Sequence, residues 1–260
     1  MHPSTTDTPA PDAQRTRLEA LYATMLRIRA FEDAAEEASR GGVAAFGQQA
    51  SGVPAAVRGP LHLSTGQEAV AAGVCANLDL RDYLTSTHRG HGHTIAKGAD
   101  VGRMMLELHG RADGVCGGRG GSMHIADFAV GMLGANGVVA AGLPIAVGAA
   151  HSVRIRAGRE IVACFFGDGA INRGPFAESL NWAQVFLLPV LFVCEDNRWS
   201  ATTPTRTLTA GEGAAARALS YGIPALTVDG NDVEAVDAAA ATLAAEIRSG
   251  GGPRLLHAIT

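Results

Sequence analysis

A regular alternation of apolar strands and helices in the second half of the chain is the feature that most restricts its fold. The strand segments are apolar along their whole length, whereas a strand with one face in water alternates apolar and polar residues. Strands of this kind, separated by helices, form a parallel sheet that helices cover on both faces. We therefore predict an α/β fold. The predicted strands are 161–166, 190–194, 226–228 and 255–259, and the predicted helices are 138–156, 176–186 and 233–247.

The first half of the chain is less regular. Residues 1–15 are rich in Pro, Thr and Asp and are predicted to be a disordered tail, so residues 16–260 are expected to form a single domain. Residues 41–60 and 110–137 are rich in small residues and are predicted to be long loops. The other predicted elements are a helix over 17–39, a helix from a capping box at 65–68 to about 78, a strand at 83–87 and a helix over 100–109. The apolar face of the first helix is predicted to contain Leu18, Leu21, Tyr22, Met25, Ile28 and Phe31.

Composition and charge exclude several classes of function. The net charge of −4 and the pI of about 6.1 leave no basic surface for nucleic acid or an anionic membrane. The four cysteines contain no C-x-x-C pair, which is typical of reduced thiols in a cytoplasmic protein. Glycine, proline or charged residues interrupt every long apolar run, and no signal-peptide pattern is present. We therefore expect a cytoplasmic protein that binds neither nucleic acid nor membranes.

Two successive strands end in residues that suit a bound anion and a metal ion. The strand 161–166 runs into Gly167-Asp168-Gly169-Ala170, and the next strand ends in Glu195-Asp196-Asn197. Ligands of open parallel sheets bind beyond the carboxyl ends of the strands, where glycines let backbone N–H groups approach an anion. The topology brings Asp168 and Asn197 to the same edge of the sheet. A carboxylate oxygen and an amide oxygen are hard ligands that suit Mg2+, and a cation would offset the repulsion between Asp168 and a phosphate.

Gly-Asp-Gly followed by Asn after such an interval is the signature of thiamine diphosphate binding, but these few letters leave alternatives open. One alternative is a glycine-rich turn with a solvated Asp168 and an unrelated turn at Asn197. A dinucleotide-binding G-x-G-x-x-G motif fits poorly, because Asn172 stands at the third glycine position. A zinc site is a further alternative for the histidines of the first half, although their spacing lacks an H-E-x-x-H pattern.

The wider sequence resembles the alpha subunit of thiamine diphosphate-dependent 2-oxo acid dehydrogenases, most closely that of acetoin dehydrogenases. The similar region extends from about residue 61 to residue 260. Beyond the Gly-Asp-Gly loop and the Glu195-Asp196-Asn197 turn, the resemblance rests on several motifs in the family's order. These motifs are His62-Leu63-Ser64-Thr65-Gly66-Gln67-Glu68-Ala69, Thr87-His88-Arg89-Gly90-His91-Gly92-His93, Gly120-Gly121-Ser122-Met123-His124-Ile125-Ala126-Asp127, Gly131-Met132-Leu133-Gly134-Ala135-Asn136-Gly137 and Leu188-Pro189-Val190.

The resemblance implies cofactors and the residues that would bind them. The cofactors would be thiamine diphosphate and Mg2+. The implied metal ligands are Asp168, the Asn197 amide and the backbone carbonyl of Trp199. The implied contacts are His88, Arg89, Gly169 and Ala170 at the diphosphate, and the backbones of Gly137 and Val139 at the aminopyrimidine. For Arg89 the alternative role is a surface salt bridge.

The resemblance also implies catalytic histidines. His62 would face the reacting carbon of the cofactor, and a buried structural histidine is the alternative. His91 and His124 are further catalytic candidates. For these two, as for His93, the alternative is that the side chain simply orders the glycine-rich loops.

The family's chemistry would be cleavage of a small 2-oxo acid or an acyloin such as acetoin, with transfer of the acyl unit. In this family a beta subunit supplies the glutamate that activates the pyrimidine ring. The resemblance thus implies a heterotetramer with a beta-type subunit, inactivity of the chain alone, and a lipoyl acyltransferase as a further partner. Residues 44–60 look like an insertion.

The resemblance stops at the end of the sequence. The chain ends at Thr260, where family members continue with a Tyr-Arg-x-x-Gly-His-Ser loop, so we expect poor acylation of lipoamide. Two alternatives remain open from the sequence. One is a two-subunit carboligase or decarboxylase that does not use lipoamide, and the other is a non-catalytic regulatory or scaffold subunit.

Overall fold

A six-stranded sheet forms the centre of the computed structural model, which describes residues 11–40, 55–57 and 59–260. The strands in chain order are β1 (Tyr83–Thr85), β2 (Met132–Gly134), β3 (Val162–Gly167), β4 (Val190–Asp196), β5 (Trp199–Ser200), β6 (Thr203–Pro204), β7 (Ala225–Asp229) and β8 (Arg254–Ile259). The sheet has the order β2-β1-β3-β4-β8-β7 and every neighbouring pair is parallel, which confirms the predicted α/β fold. Strands β5 and β6 form a separate antiparallel hairpin.

Helices cover both faces of the sheet. They are α1 (Pro11–Ser39), α2 (Glu68–Cys75), α3 (His91–Ala96), α4 (Val101–Leu108), α5 (Gly142–Ile155), α6 (Gly174–Val185), α7 (Ala214–Ser220) and α8 (Val233–Arg248). Phe165 of β3 packs into a core with residues of α1, α2 and α8, whereas Phe166 packs into a second core with residues of α5, α6 and α7. Successive side chains of a strand point to opposite faces, so two covered faces explain why β3 and β4 are apolar throughout.

The first helix differs from the predicted pattern. It begins at Pro11, so the disordered tail predicted for residues 1–15 is wrong for residues 11–15, and residues 1–10 lie outside the described part of the chain. Proline is favoured in the first turn of a helix, where its missing N–H group costs nothing. Leu21, Ile28 and Phe31 are buried as predicted, but Tyr22 is 61% exposed.

The predicted capping box at the start of α2 is also wrong. Gln67 takes the N-cap position and makes no capping hydrogen bond with its side chain. The Glu68 carboxylate instead accepts a hydrogen bond from the Gly66 N–H group at 3.0 Å and one from Arg29 of α1 at 2.6 Å. A contact with another helix therefore uses the carboxylate that the local pattern assigned to the cap, and the helix ends at Cys75 rather than near residue 78.

The long loop predicted at 110–137 contains more structure than its composition suggested. It includes strand β2 and two short 3-10 turns, at Ser122–His124 and Phe128–Val130. Helices α3 and α7 and the β5–β6 hairpin were not predicted from the sequence, and α5 begins at Gly142 rather than at the predicted residue 138. Most of the loop predicted at 41–60 lies outside the described residues. Within the described ranges, no helix is both long and apolar enough to cross a membrane.

Candidate functional site

A cavity of about 390 Å³ opens at the carboxyl ends of β1, β3 and β4. The register pairs Gly167 of β3 with Glu195 of β4, and β1 ends slightly earlier, opposite Cys164 of β3. All residues that were predicted to contact the cofactor or metal line this cavity, and so does His62. Those predicted residues are His88, Arg89, Gly137, Val139, Asp168, Gly169, Ala170, Asn197 and Trp199.

Asp168 is a buried carboxylate at the floor of the cavity. It follows β3 directly and begins a 3-10 turn, with 5% of its surface exposed. Burial raises the pKa of Asp168 to about 6, and the nearby charge of Asp196 acts in the same direction. Within the described structure, its Oδ2 atom is buried without a hydrogen-bond partner. Since an unpaired buried charge is costly, this atom is suited to binding a cation.

Buried His257 and half-buried Asp196 form a pair beside Asp168, and neither was assigned a role from the sequence. The His257 Nε2 and Asp196 Oδ2 atoms are 2.8 Å apart, and Asp196 Oδ1 accepts a hydrogen bond from the Arg198 N–H group at 2.9 Å. The hydrogen bond from His257 is the largest cause of the lowered pKa of Asp196. Asp196 is thus held as an anion next to Asp168, and the two neighbouring negative charges favour binding of a cation. A histidine among the apolar residues 255–259 of β8 was the available signal.

The β5–β6 hairpin closes one side of the cavity. The Asn197 Oδ1 atom accepts a hydrogen bond from the Trp199 N–H group at 3.0 Å, which fixes the amide at the turn after β4. Ser200 then packs against the Gly-Asp-Gly loop so closely that a Cβ atom on Gly169 would lie 2.6 Å from Ser200 Oγ. The requirement for glycine at position 169 therefore comes from this close approach of the hairpin.

The opposite wall carries two histidine rings and an arginine. The His62 and His88 rings meet edge to face, with centroids 4.8 Å apart. Burial lowers the pKa of His88 to about 4, and the neighbouring His62 and Arg89 contribute to the shift. Burial also lowers the pKa of His62, with a smaller contribution from Arg89. Both rings are therefore neutral at neutral pH.

Arg89 supplies positive charge to this wall. Its guanidinium group donates a hydrogen bond to the Leu63 carbonyl, which joins the start of α3 to the His62 segment. Among the described residues Arg89 takes part in no ion pair, so the surface salt bridge considered as an alternative is not found. An arginine without an acidic partner in a cavity is available to a bound anion.

Ser86, His93 and Glu195 form a buried chain under the cavity. The His93 Nδ1 atom lies 2.7 Å from Ser86 Oγ, and its Nε2 atom lies 3.0 Å from Glu195 Oε1. The ring also stacks on Phe165, with centroids 3.9 Å apart. Ser86 and Glu195 both line the cavity and were missed as site residues, because each stands at a strand end beside a more conspicuous motif.

The structure separates His91 and His124 from the other candidates. His91 is fully buried, both of its ring nitrogens contact other side chains, and it does not line the cavity. The prediction of His91 as a catalytic residue is therefore at odds with its position, and the alternative structural role fits. His124 is exposed and is also absent from the lining, but a Cβ atom on Gly137 would lie 3.7 Å from its Cε1 and Nε2 atoms. His124 thus stands beside the rim of the cavity.

Known proteins are similar to this chain over most of its length. The model of the family "Dehydrogenase E1 component" matches residues 49–260. The alpha subunit of the acetoin:2,6-dichlorophenolindophenol oxidoreductase of Bacillus subtilis is 47% identical over 240 residues, which are 92% of this chain and 68% of the relative. The subunit of the same name from Cupriavidus necator is 42% identical over 96% of this chain and 72% of its own length.

More distant proteins extend the comparison. The pyruvate dehydrogenase E1 component subunit alpha of Porphyra purpurea is 37% identical over 94% of this chain and 69% of its own length. A solved structure, described as a thiamin diphosphate-dependent enzyme from Mycobacterium smegmatis, aligns with a TM-score of 0.51 and 16% identity. That alignment covers 77% of this chain and 32% of the other, and at this identity it shows the fold alone.

Proposed function

Since the chain belongs to the dehydrogenase E1 component family, we propose that it is the alpha subunit of a two-subunit thiamine diphosphate enzyme acting on acetoin or a small 2-oxo acid. The family membership confirms the resemblance expected from the motifs. The observation that carries the proposal is the Oδ2 atom of Asp168, which is buried and has no hydrogen-bond partner among the described residues, at the floor of a cavity whose wall holds Arg89. A cavity with a carboxylate at its floor and an arginine on its wall that has no acidic partner in the described part of the chain suits a metal ion bound to an anionic ligand.

The residues around Asp168 fit Mg2+. Asp168 would provide a carboxylate oxygen, Asn197 an amide oxygen and Trp199 a backbone carbonyl. The Asn197 Oδ1 atom accepts one hydrogen bond from the Trp199 N–H group, and an amide oxygen has a second lone pair for a cation. Within the described residues, no group of three or more His, Cys, Asp or Glu side chains is arranged to hold a metal. The protein ligands are therefore few, and a Mg2+ ion here would take further oxygen ligands from a diphosphate and water.

The residues on the anion side fit a diphosphate. Arg89 would pair with its charge, and the neutral His88 ring would donate one hydrogen bond without adding charge. The backbone N–H groups of Gly169 and Ala170 would complete the anion site, and Gly137 and Val139 would contact the aminopyrimidine ring through their backbones. When bound, thiamine diphosphate supplies a carbon nucleophile and an electron sink for breaking the bond next to a carbonyl group.

His62 is the proposed acid–base residue of this chain. Its lowered pKa keeps the ring neutral at neutral pH, so one nitrogen is free to accept a proton and the other to donate one. His124 at the rim would assist on the substrate side. We propose acetoin ahead of pyruvate as substrate, because the relatives named for acetoin are 47% and 42% identical and the pyruvate dehydrogenase subunit is 37% identical.

The proposal includes a beta-type partner subunit. Val138 and Val139 line the cavity and are 68% and 53% exposed, and adjacent exposed apolar residues can belong to an interaction surface. A beta subunit in an α2β2 heterotetramer would cover them and complete the cofactor site. A lipoyl acyltransferase is a further proposed partner, since an acyl unit released from the cofactor needs an acceptor.

The proposal is tested on the chain coexpressed with its beta-type partner. Calorimetry with thiamine diphosphate, with Mg2+ and with EDTA measures cofactor affinity, and reduction of 2,6-dichlorophenolindophenol measures turnover with acetoin and pyruvate. Asp168→Asn is expected to abolish binding that depends on Mg2+, whereas Asp33→Asn on the exposed face of α1 is the matched control. Tight cofactor binding by Asp168→Asn that is insensitive to EDTA would refute the metal site, and absence of dye reduction with both substrates would refute the activity.

A further inference from the structure

A second group of buried polar side chains lies behind the cavity, away from the proposed metal. The Glu32 Oε1 atom of α1 accepts hydrogen bonds from the Ser64 N–H group at 2.9 Å and from its hydroxyl at 2.6 Å. The Oε2 atom lies 2.8 Å from His91 Nδ1, and His91 Nε2 lies 3.0 Å from Ser122 Oγ. Glu32 and His91 are 0% exposed, and the two serines are at most 8% exposed. Every polar side-chain atom of the fully buried Glu32 and His91 therefore has a hydrogen-bond partner.

The partners of this pair belong to three separate segments that each supply a wall of the cavity. Ser64 follows the His62 segment, His91 follows Arg89 at the start of α3, and Ser122 precedes Met123, which lines the cavity. Helix α1 supplies no lining residue itself. The Glu32 carboxylate therefore joins the Ser64 and His91 segments directly and the Ser122 segment through His91.

The chemistry of the pair fixes the direction of its hydrogen bonds. Burial alone would raise the pKa of Glu32, but the hydrogen bonds and charge of His91 and the hydrogen bonds from Ser64 outweigh it and lower that pKa. An ionised carboxylate only accepts hydrogen bonds, so His91 carries a proton on Nδ1. The Ser122 hydroxyl can donate to or accept from His91 Nε2, so this last contact persists whether the ring is neutral or charged.

Close packing prevents the ring from taking another position. The Phe31 and His91 rings meet edge to face with centroids 5.4 Å apart. A Cβ atom on Gly92 would lie 2.8 Å from Ser64 Oγ, so α3 and the His62 segment are in contact next to the pair. A small shift of His91 would therefore be transmitted to the His62 and Arg89 wall rather than absorbed in empty space.

We propose that Glu32 and His91 are positioning residues of this enzyme, which align the His62, Arg89 and Met123 segments without touching substrate or cofactor. The proposal rests on the proposed function for its catalytic consequence, but its structural part is measured independently of activity. Removal of the pair would shift His62 relative to the floor at Asp168. A displacement of about 1 Å in an active site costs about 100-fold in turnover, so Glu32→Ala is expected to lower kcat by about that factor.

Hydrogen exchange of the assembled complex tests the structural part. In Glu32→Ala, exchange is expected to rise at least about tenfold in peptides covering 61–67, 87–93 and 120–126, because the hydrogen bonds of Glu32 to Ser64 and His91 are lost. Exchange in the peptide covering 167–172 is expected to stay unchanged, because the floor at the end of β3 does not depend on these hydrogen bonds. Glu36→Ala, at an exposed position of the same helix, is the matched control. Unchanged exchange in the three peptides, or an equal rise in all peptides, would overturn the proposal. Loss of dye reduction in the wild-type complex would refute the proposed function alone.

Two further variants separate positioning from general stability. Glu32→Gln keeps the volume and one acceptor oxygen, and its amide can donate to His91 Nδ1 if the ring changes tautomer, so it is expected to recover most of the lost kcat. In a His62→Ala background, Glu32→Ala is expected to cost less than about threefold in kcat, because the acid–base residue among those that it positions is gone. A full loss in that background, or no difference between the Gln and Ala variants, would show that Glu32 contributes only to stability.

Discussion

Glu107 of α4 should control whether the glycine-rich loop of residues 114–121 stays closed. Its Oε2 atom accepts hydrogen bonds from the N–H groups of Cys116 and Gly118, both at 2.8 Å. Its Oε1 atom accepts hydrogen bonds from the N–H groups of Gly120 at 2.7 Å and Gly121 at 3.2 Å. The residue is 1% exposed. In Glu107→Gln the remaining side-chain oxygen still accepts hydrogen bonds from two of these N–H groups. The amide NH2 group faces the other two N–H groups and cannot accept from them, so about half of the hydrogen bonds are lost.

The size of the effect follows from these contacts. A hydrogen bond to a charged group contributes about 1.5–3 kcal/mol, so two lost bonds amount to about 3–6 kcal/mol. The released N–H groups lie near the surface and regain water, which favours the lower end of that range. About 3 kcal/mol corresponds to a rise on the order of 100-fold in the population of the open loop. The adjacent residues Ser122 and Met123 should move with it.

Limited proteolysis measures this population directly, because Arg111 precedes the segment, Arg119 lies within it, and both are trypsin sites. Cleavage of Glu107→Gln in the assembled complex at these two arginines is expected to be about 100-fold faster than in the wild type. Glu178→Gln, at an exposed position of α6, is the matched control. Cleavage within twofold of the wild-type rate would show that the four hydrogen bonds do not hold the loop and that the reasoning is wrong.

Three further predictions concern other parts of the chain. His88 is expected to titrate near pH 4 in the unliganded chain by NMR, because folding lowers its pKa from about 6.5. Between these two pH values the unfolded state binds more protons than the folded state, so the free energy of unfolding should fall as the pH falls from about 6.5 to about 4. Gly169→Ala should weaken cofactor binding by calorimetry because its Cβ atom would lie 2.6 Å from Ser200 Oγ, and adding Ser200→Gly should restore most of the affinity, whereas a double variant as weak as the single one would contradict the steric cause. Asp82→Asn should lower the free energy of unfolding in urea by about 3 kcal/mol, because buried Asp82 accepts from the Ile161 N–H group at 2.8 Å and pairs with Arg248, while Asp79→Asn, with a side chain 73% exposed, should change it little.

Much of the second half of the fold could be predicted because its signals are local. Strands such as β3 and β4 are buried on both faces, so every residue is apolar and the elements stand out in the sequence. The proposed metal ligands at the ends of β3 and β4 could be predicted for a related reason. In a parallel sheet the carboxyl ends of strands meet at one edge, so Asp168 and Asn197 come together whatever the exact lengths of the connecting helices.

The missed features depend on contacts between distant segments. Glu32 and Glu107 lie in helices beside apolar residues, and nothing in the local pattern reveals that one binds Ser64 and His91 while the other binds a glycine-rich loop. The predicted capping box was wrong for the same reason, because the Glu68 carboxylate pairs with Arg29 of α1. Helix α3 was missed because its sequence, His91-Gly92-His93-Thr94-Ile95-Ala96, has poor helix propensity, and packing against α1 and α2 stabilises it instead.

The floor of the cavity and the wall opposite it differ in how firmly the fold determines their positions. The floor at Asp168 continues β3, whose side chains are anchored in both cores, so a substitution in one helical layer leaves the other layer to hold the strand in place. The wall with His62 and Arg89 stands on short segments joined by a few hydrogen bonds. Substitutions can accumulate there at small cost to the floor. Such an arrangement allows a lineage of enzymes to change the substrate side of the cavity while it keeps the same metal-binding floor.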